Sequence, residues 1–193
     1  MILRNLSQGM AGVLLTLAEF VTQQNTSSLR STLRDGAYWL MQSERLGGPI
    51  LPGLYSGEAG VGIALLRAGQ LLEDQVLISA AEKQGQLIAT CPYDLPDLMH
   101  GTAGRLKYHI WLWQATARSY HLQAALQAGC TLLEQAEDIE DGGMGWKISA
   151  GYYGAAGRMY IWGMLMEWRA LLMPCLTSIK QVGRLDFSKL YNE

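Results

Sequence analysis

Four copies of the tetrad Gly-x-Ala-Gly constrain this chain more than any other feature: Gly9 to Gly12, Gly57 to Gly60, Gly101 to Gly104 and Gly154 to Gly157. Their first glycines lie 48, 44 and 53 residues apart, and each tetrad opens a long apolar segment. Chance gives one or two such tetrads in a chain rich in Gly and Ala; four at near-regular spacing mark a repeat architecture. The segments behind them carry apolar residues at helical spacing: Val13, Leu14, Leu17 and Phe20; Val61, Ala64, Leu65 and Ala68; Leu106, Ile110, Trp111 and Trp113. A second helix is expected after each, from about Thr26 to Glu44, Asp74 to Thr90 and Ser119 to Glu137. Loops such as 47–52 and 91–96, rich in Gly and Pro, then join one helical hairpin to the next.

Composition agrees with stacked hairpins. The 193 residues hold 22 glycines, and only 17% are charged, against about 25% in an average globular chain. Low charge suits helices buried on two sides, and 49% apolar content excludes a disordered chain. A net charge of −2 offers no footprint for nucleic acid. No apolar run reaches the ~18 residues of a membrane span. Residues 10–18 imitate a signal-peptide core, but Glu19 follows at once and the pattern recurs inside the chain. Cys91, Cys130 and Cys175 are odd in number and widely spaced, which suits a reducing cytoplasm better than a disulfide framework.

The first glycine of each tetrad is expected at positive φ, turning the chain, while Ala and the second Gly let the helix start approach its neighbours. If the repeats close into a ring, the helix N-termini gather at one end and favour an anion, a thiolate or an enolate there. The alternative is that these glycines serve helix packing alone.

The segment from Gly53 to Leu66, GLYSGEAGVGIALL, resembles the repeat signature of the lanthionine synthetase C-like family. Asp97 to Gly104, DLMHGTAG, is a second such signature, and Leu6 to Phe20 is similar to a first repeat. The resemblance runs over roughly residues 5–165 and implies an all-α fold, an α/α toroid of about seven hairpins, of which residues 1–162 would hold about four. The family's bacterial cyclases use zinc to hold a peptide cysteine as thiolate, which adds to a dehydroalanine or dehydrobutyrine and closes a thioether ring. The family's zinc ligands, a Cys in Trp-Cys-x-Gly and an adjacent Cys-His pair in a later repeat, have no match in these 193 residues. Cys91 falls in an inter-repeat loop, Cys130 inside an outer helix and Cys175 in the final segment, so no cofactor is expected in this chain. The family's catalytic histidine lies in His-Gly-x-Ala-Gly, which makes His100 the catalytic candidate; the alternative is a loop histidine capping the next helix. Gln8 and Ser56 hold the same slot in the first two repeats, so a histidine there is optional. His109 and His121 fall mid-helix and read as structural or solvated.

After Tyr160 the family pattern stops. Met and Trp have single codons, so the run from Met164 to Ala170, MLMEWRA, fixes much of its alternative translation. One base earlier it permits Tyr-Ala-His-Gly-Val-Ala-Gly, a repeat signature. Residues 163–193 are therefore expected to be a tail outside the family, produced by a frame change near Trp162, with 140–147 a genuine loop before the lost repeat. Sequencing the gene and its downstream DNA is expected to reveal a family-like frame beyond the stop codon; its absence would sink this reading.

Three functions compete. One is a partial cyclase-like subunit, inactive alone. Another is a binding or scaffold half-toroid that grips a precursor peptide or completes its ring with a complementary fragment. The third is an α/α-toroid glycosidase using carboxylates such as Glu58, Asp94 and Asp97, although loop aspartates more often cap helices. Tyr108, Trp111, Trp113 and Tyr120 are expected to fill the space between the helix rings or to line a peptide cleft. An open toroid also exposes apolar flanks, so self-association is expected.

Overall fold

The computed structural model describes residues 3–45, 47–138, 144–148 and 159–160. Two units are distinguished, Met1–Gln135 and Ala136–Glu193. The first contains six helices: α1 (Met10–Gln23), α2 (Ser27–Gln42), α3 (Glu58–Leu72), α4 (Gln75–Ala89), α5 (Thr102–Thr116) and α6 (Ser119–Glu134). They form three consecutive hairpins, α1–α2, α3–α4 and α5–α6, with α1 packed on α3 and α3 on α5. This is the all-α repeat fold that the tetrads predict. In the second unit, Glu137–Asp138 pairs antiparallel with Met144–Gly145, and Lys147–Ile148 with Met159–Tyr160. The third outer helix thus ends at Glu134, short of the expected Glu137, which lies in a strand. The tetrad Gly154 to Gly157, the proposed boundary near 162 and the tail lie outside the described residues.

Helix starts and stops follow local chemistry. Thr26 caps α2 by accepting the Leu29 N–H, and Asp74 caps α4 by accepting the N–H groups of Val76 and Leu77. The turns out of α3 and α5 place Glu73 and Ala117 in the left-handed region, both at φ 55°. The outer helices each bury one stripe: Leu33, Ala37 and Leu40 on α2; Leu77, Ala81, Gly85 and Ile88 on α4; His121, Ala125, Ala128 and Leu132 on α6. By contrast α3 is buried nearly all round, which small and apolar residues such as Ala59, Gly60, Ala64, Ala68 and Gly69 permit. Gly69 is required there, since a Cβ would stand 2.8 Å from the Ile78 side chain and 3.0 Å from its backbone nitrogen.

His121 stands where the second repeat has Leu77 and the first has Leu29, counted from the helix caps, and His109 stands where α3 has Leu65. Both histidines are fully buried core residues, so the solvated alternative falls. Their Nδ1 atoms lie 3.2 Å apart, over Gly85 of α4, where a Cβ would meet the His121 ring at 3.1 Å. Glu82 of α4 faces His121 Nε2 at 3.8 Å and pairs with Arg118 at 2.5 Å. The carboxylate favours a proton on His121 Nε2, and in that tautomer His121 Nδ1 accepts from His109 Nδ1–H. In that tautomer the His109 Nε2 lone pair is buried with no hydrogen-bond partner among the described residues.

Candidate functional site

The three described tetrads sit where the inner helices begin, with Gly9, Gly57 and Gly101 as N-caps of α1, α3 and α5. Their φ angles are −133°, −110° and −122°. This is extended backbone open to any residue, so the expected positive φ is wrong. The glycines are needed for close approach. A Cβ on Gly9, Gly57 or Gly101 would strike the carbonyl oxygen six residues upstream, on Leu3, Leu51 and Leu95 respectively. The second glycines repeat the pattern: Gly12, Gly60 and Gly104 abut the carbonyls of Leu6, Leu54 and Leu98. The repeat signature is therefore longer than the tetrad. It begins with two leucines at three-residue spacing, Leu3 and Leu6, Leu51 and Leu54, Leu95 and Leu98, a signal present in the sequence but legible only once the loop's curl is seen.

The curl has an electrostatic consequence. The first helical N–H of each inner helix donates to one of those carbonyls: Met10 to Leu3 at 2.8 Å, Glu58 to Leu51 at 2.9 Å, Thr102 to Leu95 at 2.7 Å. Ala11 and Ala103 likewise donate to Arg4 and Pro96. Helix N-termini attract anions through unsatisfied N–H groups. Here the leading donors are already engaged by the loop, so the anion-favouring end expected from the tetrads is largely neutralised.

Successive entrance loops are also hydrogen-bonded to one another. The N–H groups of Leu6 and Ser7 donate to Tyr55, and those of Gly53, Leu54 and Tyr55 donate to His100, Leu98 and Met99. Gly53 permits this approach, since a Cβ would lie 2.3 Å from the His100 backbone. His100 thus joins the second and third repeats through its carbonyl, which accepts the Gly53 N–H at 2.8 Å. Its own N–H donates to Asp97 Oδ1 at 2.7 Å, and its ring Nδ1 lies 3.5 Å from the same oxygen. The ring is largely but not wholly buried. Asp97 is the partner that sequence reasoning treated only as a weak carboxylate; it fixes the loop and faces the one histidine in a family position.

Arg105, on the first turn of α5, is fully buried, and its partners among the described residues are carbonyls and a ring, with no carboxylate. Its Nη2 donates to the carbonyls of Cys91 and Pro92 at 2.7 and 2.9 Å, and the guanidinium lies 4.1 Å over the Tyr93 ring. It therefore ties the 91–96 loop to the helix and positions the Asp97–His100 segment. Sequence reasoning missed it, because one arginine beside an apolar run looks solvent-facing. Glu58 is held by Arg4 at 3.3 Å, and burial, outweighing Arg4 and Arg45, raises its carboxyl above the ordinary range. Arg4 also donates to the Ser43 carbonyl. Asp94 is exposed. The acids of the glycosidase reading thus divide into one ion pair, one loop clasp and one surface residue.

The family model for lanthionine synthetase C-like proteins matches residues 4–157. The chain belongs to this family. No curated protein matches it. The three stacked hairpins accordingly correspond to part of the helical toroid of lanthionine synthetase C-like proteins.

The cysteines were tested as homes for the zinc that this family implies. Cys91 is buried at the end of the second hairpin; burial raises its thiol above the ordinary value, only partly offset by Arg105 and Arg45. A metal ligand needs the opposite, a stabilised thiolate. Cys130 lies half-buried on α6. Among the described residues no group of three or more His, Cys, Asp or Glu is placed to hold a metal ion. Cys175 lies outside the described residues. Of the aromatics, Tyr108 is buried and donates from its hydroxyl to the Ala81 carbonyl at 2.7 Å, and Trp111 packs against the core. Trp113 and Tyr120 are exposed, so they do not fill the space between helices as expected. Among the described residues no helix is long and apolar enough to cross a membrane.

Proposed function

We propose that this lanthionine synthetase C-like chain engages a cysteine-containing precursor peptide beside its helix entrances, in the cytoplasm, and does not close thioether rings by itself. The observation that carries this reading is His100: a partly exposed imidazole in a His-Gly-Thr-Ala-Gly entrance, set against Asp97, within a family match over residues 4–157. In lanthionine formation the peptide sulfur bonds to the β-carbon of a dehydroamino acid, the π electrons move to an enolate, and the α-carbon takes up a proton. An imidazole steadied by a carboxylate suits hydrogen bonding to a peptide carbonyl or that final protonation. The sulfur-activating half of the chemistry has no counterpart, since the chain lacks both Trp-Cys-x-Gly and an adjacent Cys-His pair.

A fluorescein-labelled peptide with one cysteine and one dehydroalanine tests both halves. Ring closure leaves the mass unchanged but removes an alkylatable thiol, so iodoacetamide labelling reads it. The expected result is saturable anisotropy with the thiol fully retained, and at least tenfold weaker binding by His100→Ala than by the parent chain. Loss of the thiol in the presence of the chain would overturn the inactivity; absence of binding would overturn the peptide role.

A further inference from the structure

The inner helices keep one stripe open. From Ala59 to Gly69, α3 is buried everywhere except at Ile63 and Arg67, and Gln70 continues that stripe one turn on. The cause is packing: α4, α1 and α5 all lie against α3, so a single face is left. Counted from the tetrads, the equivalents of Ile63, Arg67 and Gln70 are Lys107, Trp111 and Gln114 on α5, and Leu15, Glu19 and Thr22 on α1. Arg67 thus stands in the middle of a row. On the α1 side its Nη2 lies 3.4 Å from both Glu19 and Thr22, a long ion pair whose Glu19 side chain is 63% exposed. On the α5 side Arg67, Gln70, Trp111 and Gln114 line a groove of about 310 Å³ with Ile63 and Leu66. Lys107 Nζ lies 5.0 Å from the centre of the Trp111 ring, and no carboxylate lines the groove.

Resting on the peptide reading above, we propose that this groove holds an acidic residue of the same precursor peptide, its carboxylate on Arg67 and a neighbouring apolar side chain against Trp111. Complementary charge selects that occupant: the lining carries a guanidinium, a lysine stands beside it, and the acid is missing on that side. A guanidinium fork suits a carboxylate, and its present partner is replaceable, because an exposed pair at this separation is worth little. The two glutamine amides each offer a donor and an acceptor, which suits a peptide main chain, and Trp111 offers a broad apolar surface. Spacing follows from geometry. Trp111 lies ten residues beyond Gly101, the glycine after His100, or about 15 Å along α5. An extended peptide running along the helix covers that distance in about five residues, which sets the acid's separation from the cysteine.

Anisotropy titration of the full chain tests this with two fluorescein-labelled peptides. One carries an Asp-Phe pair about five residues to either side of its cysteine, and the other has Asn-Phe pairs instead. The parent is expected to bind the aspartate peptide about fivefold more tightly. Arg67→Gln should lose that preference with unchanged circular dichroism, and Arg67→Glu should bind a Lys-Phe peptide better than the aspartate one. Glu19→Gln, which removes the competing carboxylate, should bind the aspartate peptide more tightly than the parent does. His100→Ala should weaken both peptides alike and keep the preference. Equal binding of the two peptides by a parent that still depends on His100 would overturn this inference and leave the peptide role standing. A preference that survives Arg67→Gln, or persists with the aspartates moved next to the cysteine, would also overturn it. Binding of neither peptide would overturn both readings.

Discussion

Gly104→Ala is expected to cost about 3 kcal/mol or more, a large share of the 5–15 kcal/mol that holds a typical domain folded. The methyl group would lie 2.3 Å from the Leu54 nitrogen, 2.5 Å from the Leu98 oxygen and 2.8 Å from Gly53 Cα. All three are backbone atoms of hydrogen-bonded loops, so none can swing aside as a side chain would. Relief requires the second and third entrance loops to part, breaking bonds such as Leu54 N–H to Leu98. Gly47→Ala is the control, because a Cβ there meets nothing within 4 Å. It should be neutral, or stabilise by a few tenths of a kcal/mol through the unfolded state. Urea denaturation of both variants measures the difference, and a Gly104→Ala chain within 1 kcal/mol of the parent would show that the loops are not locked as described.

The second large effect is acid sensitivity centred on the histidine pair. Burial, then His121 and then Arg105, lower the His109 pKa from the usual 6.5 to about 3, and burial lowers His121 in the same direction against the pull of Glu82. A lowered histidine pKa means that the unfolded chain binds protons more readily than the folded one between those two values. Stability is therefore complete above pH 6.5 and falls as the pH drops toward 3. At ~1.36 kcal/mol per unit, His109 alone removes about 2 kcal/mol by pH 5. Glu58 acts oppositely, because its raised carboxyl pKa favours the folded state as it protonates, but only near and just above the ordinary carboxylate range. His109→Leu/His121→Leu restores the apolar residues of the equivalent repeat positions. It is expected to hold the parent's stability at pH 7.5 within about 1.5 kcal/mol. Its loss on going to pH 5 should be smaller than the parent's by about 2 kcal/mol, read from urea midpoints at the two pH values. An equal loss in parent and variant would show that the pair does not carry the acid response.

Much of the fold is legible in sequence because its causes are local. Helical spacing behind each tetrad, caps such as Thr26 and Asp74, and the fixed repeat length place six helices within a few residues of their observed ends. The lanthionine synthetase C-like signature is likewise a matter of residue order, and the match over residues 4–157 agrees with it. What failed was conformational detail that depends on distant partners. Gly9, Gly57 and Gly101 look like turn residues demanding positive φ, yet they are extended. Their lack of a side chain answers to leucine carbonyls brought back by the loop's curl.

The candidate site divides along the same line. His100 was legible because it sits in a five-residue motif, whereas its tie to Asp97 and its junction with Gly53 exist only where two repeats meet. Arg105, His109 and His121 are polar residues at positions where other repeats carry Val61, Leu65 and Leu77, and nothing in their local sequence distinguishes burial from exposure. Sequence by itself determined the repeat, its helices and the family, since periodicity and caps act over a few residues. Tertiary structure alone decided which glycines are locked, which charges are buried and which stripe of the inner helices stays open. Each of those depends on what the neighbouring repeat places against a residue, and that is set by packing across 40 or more residues of chain.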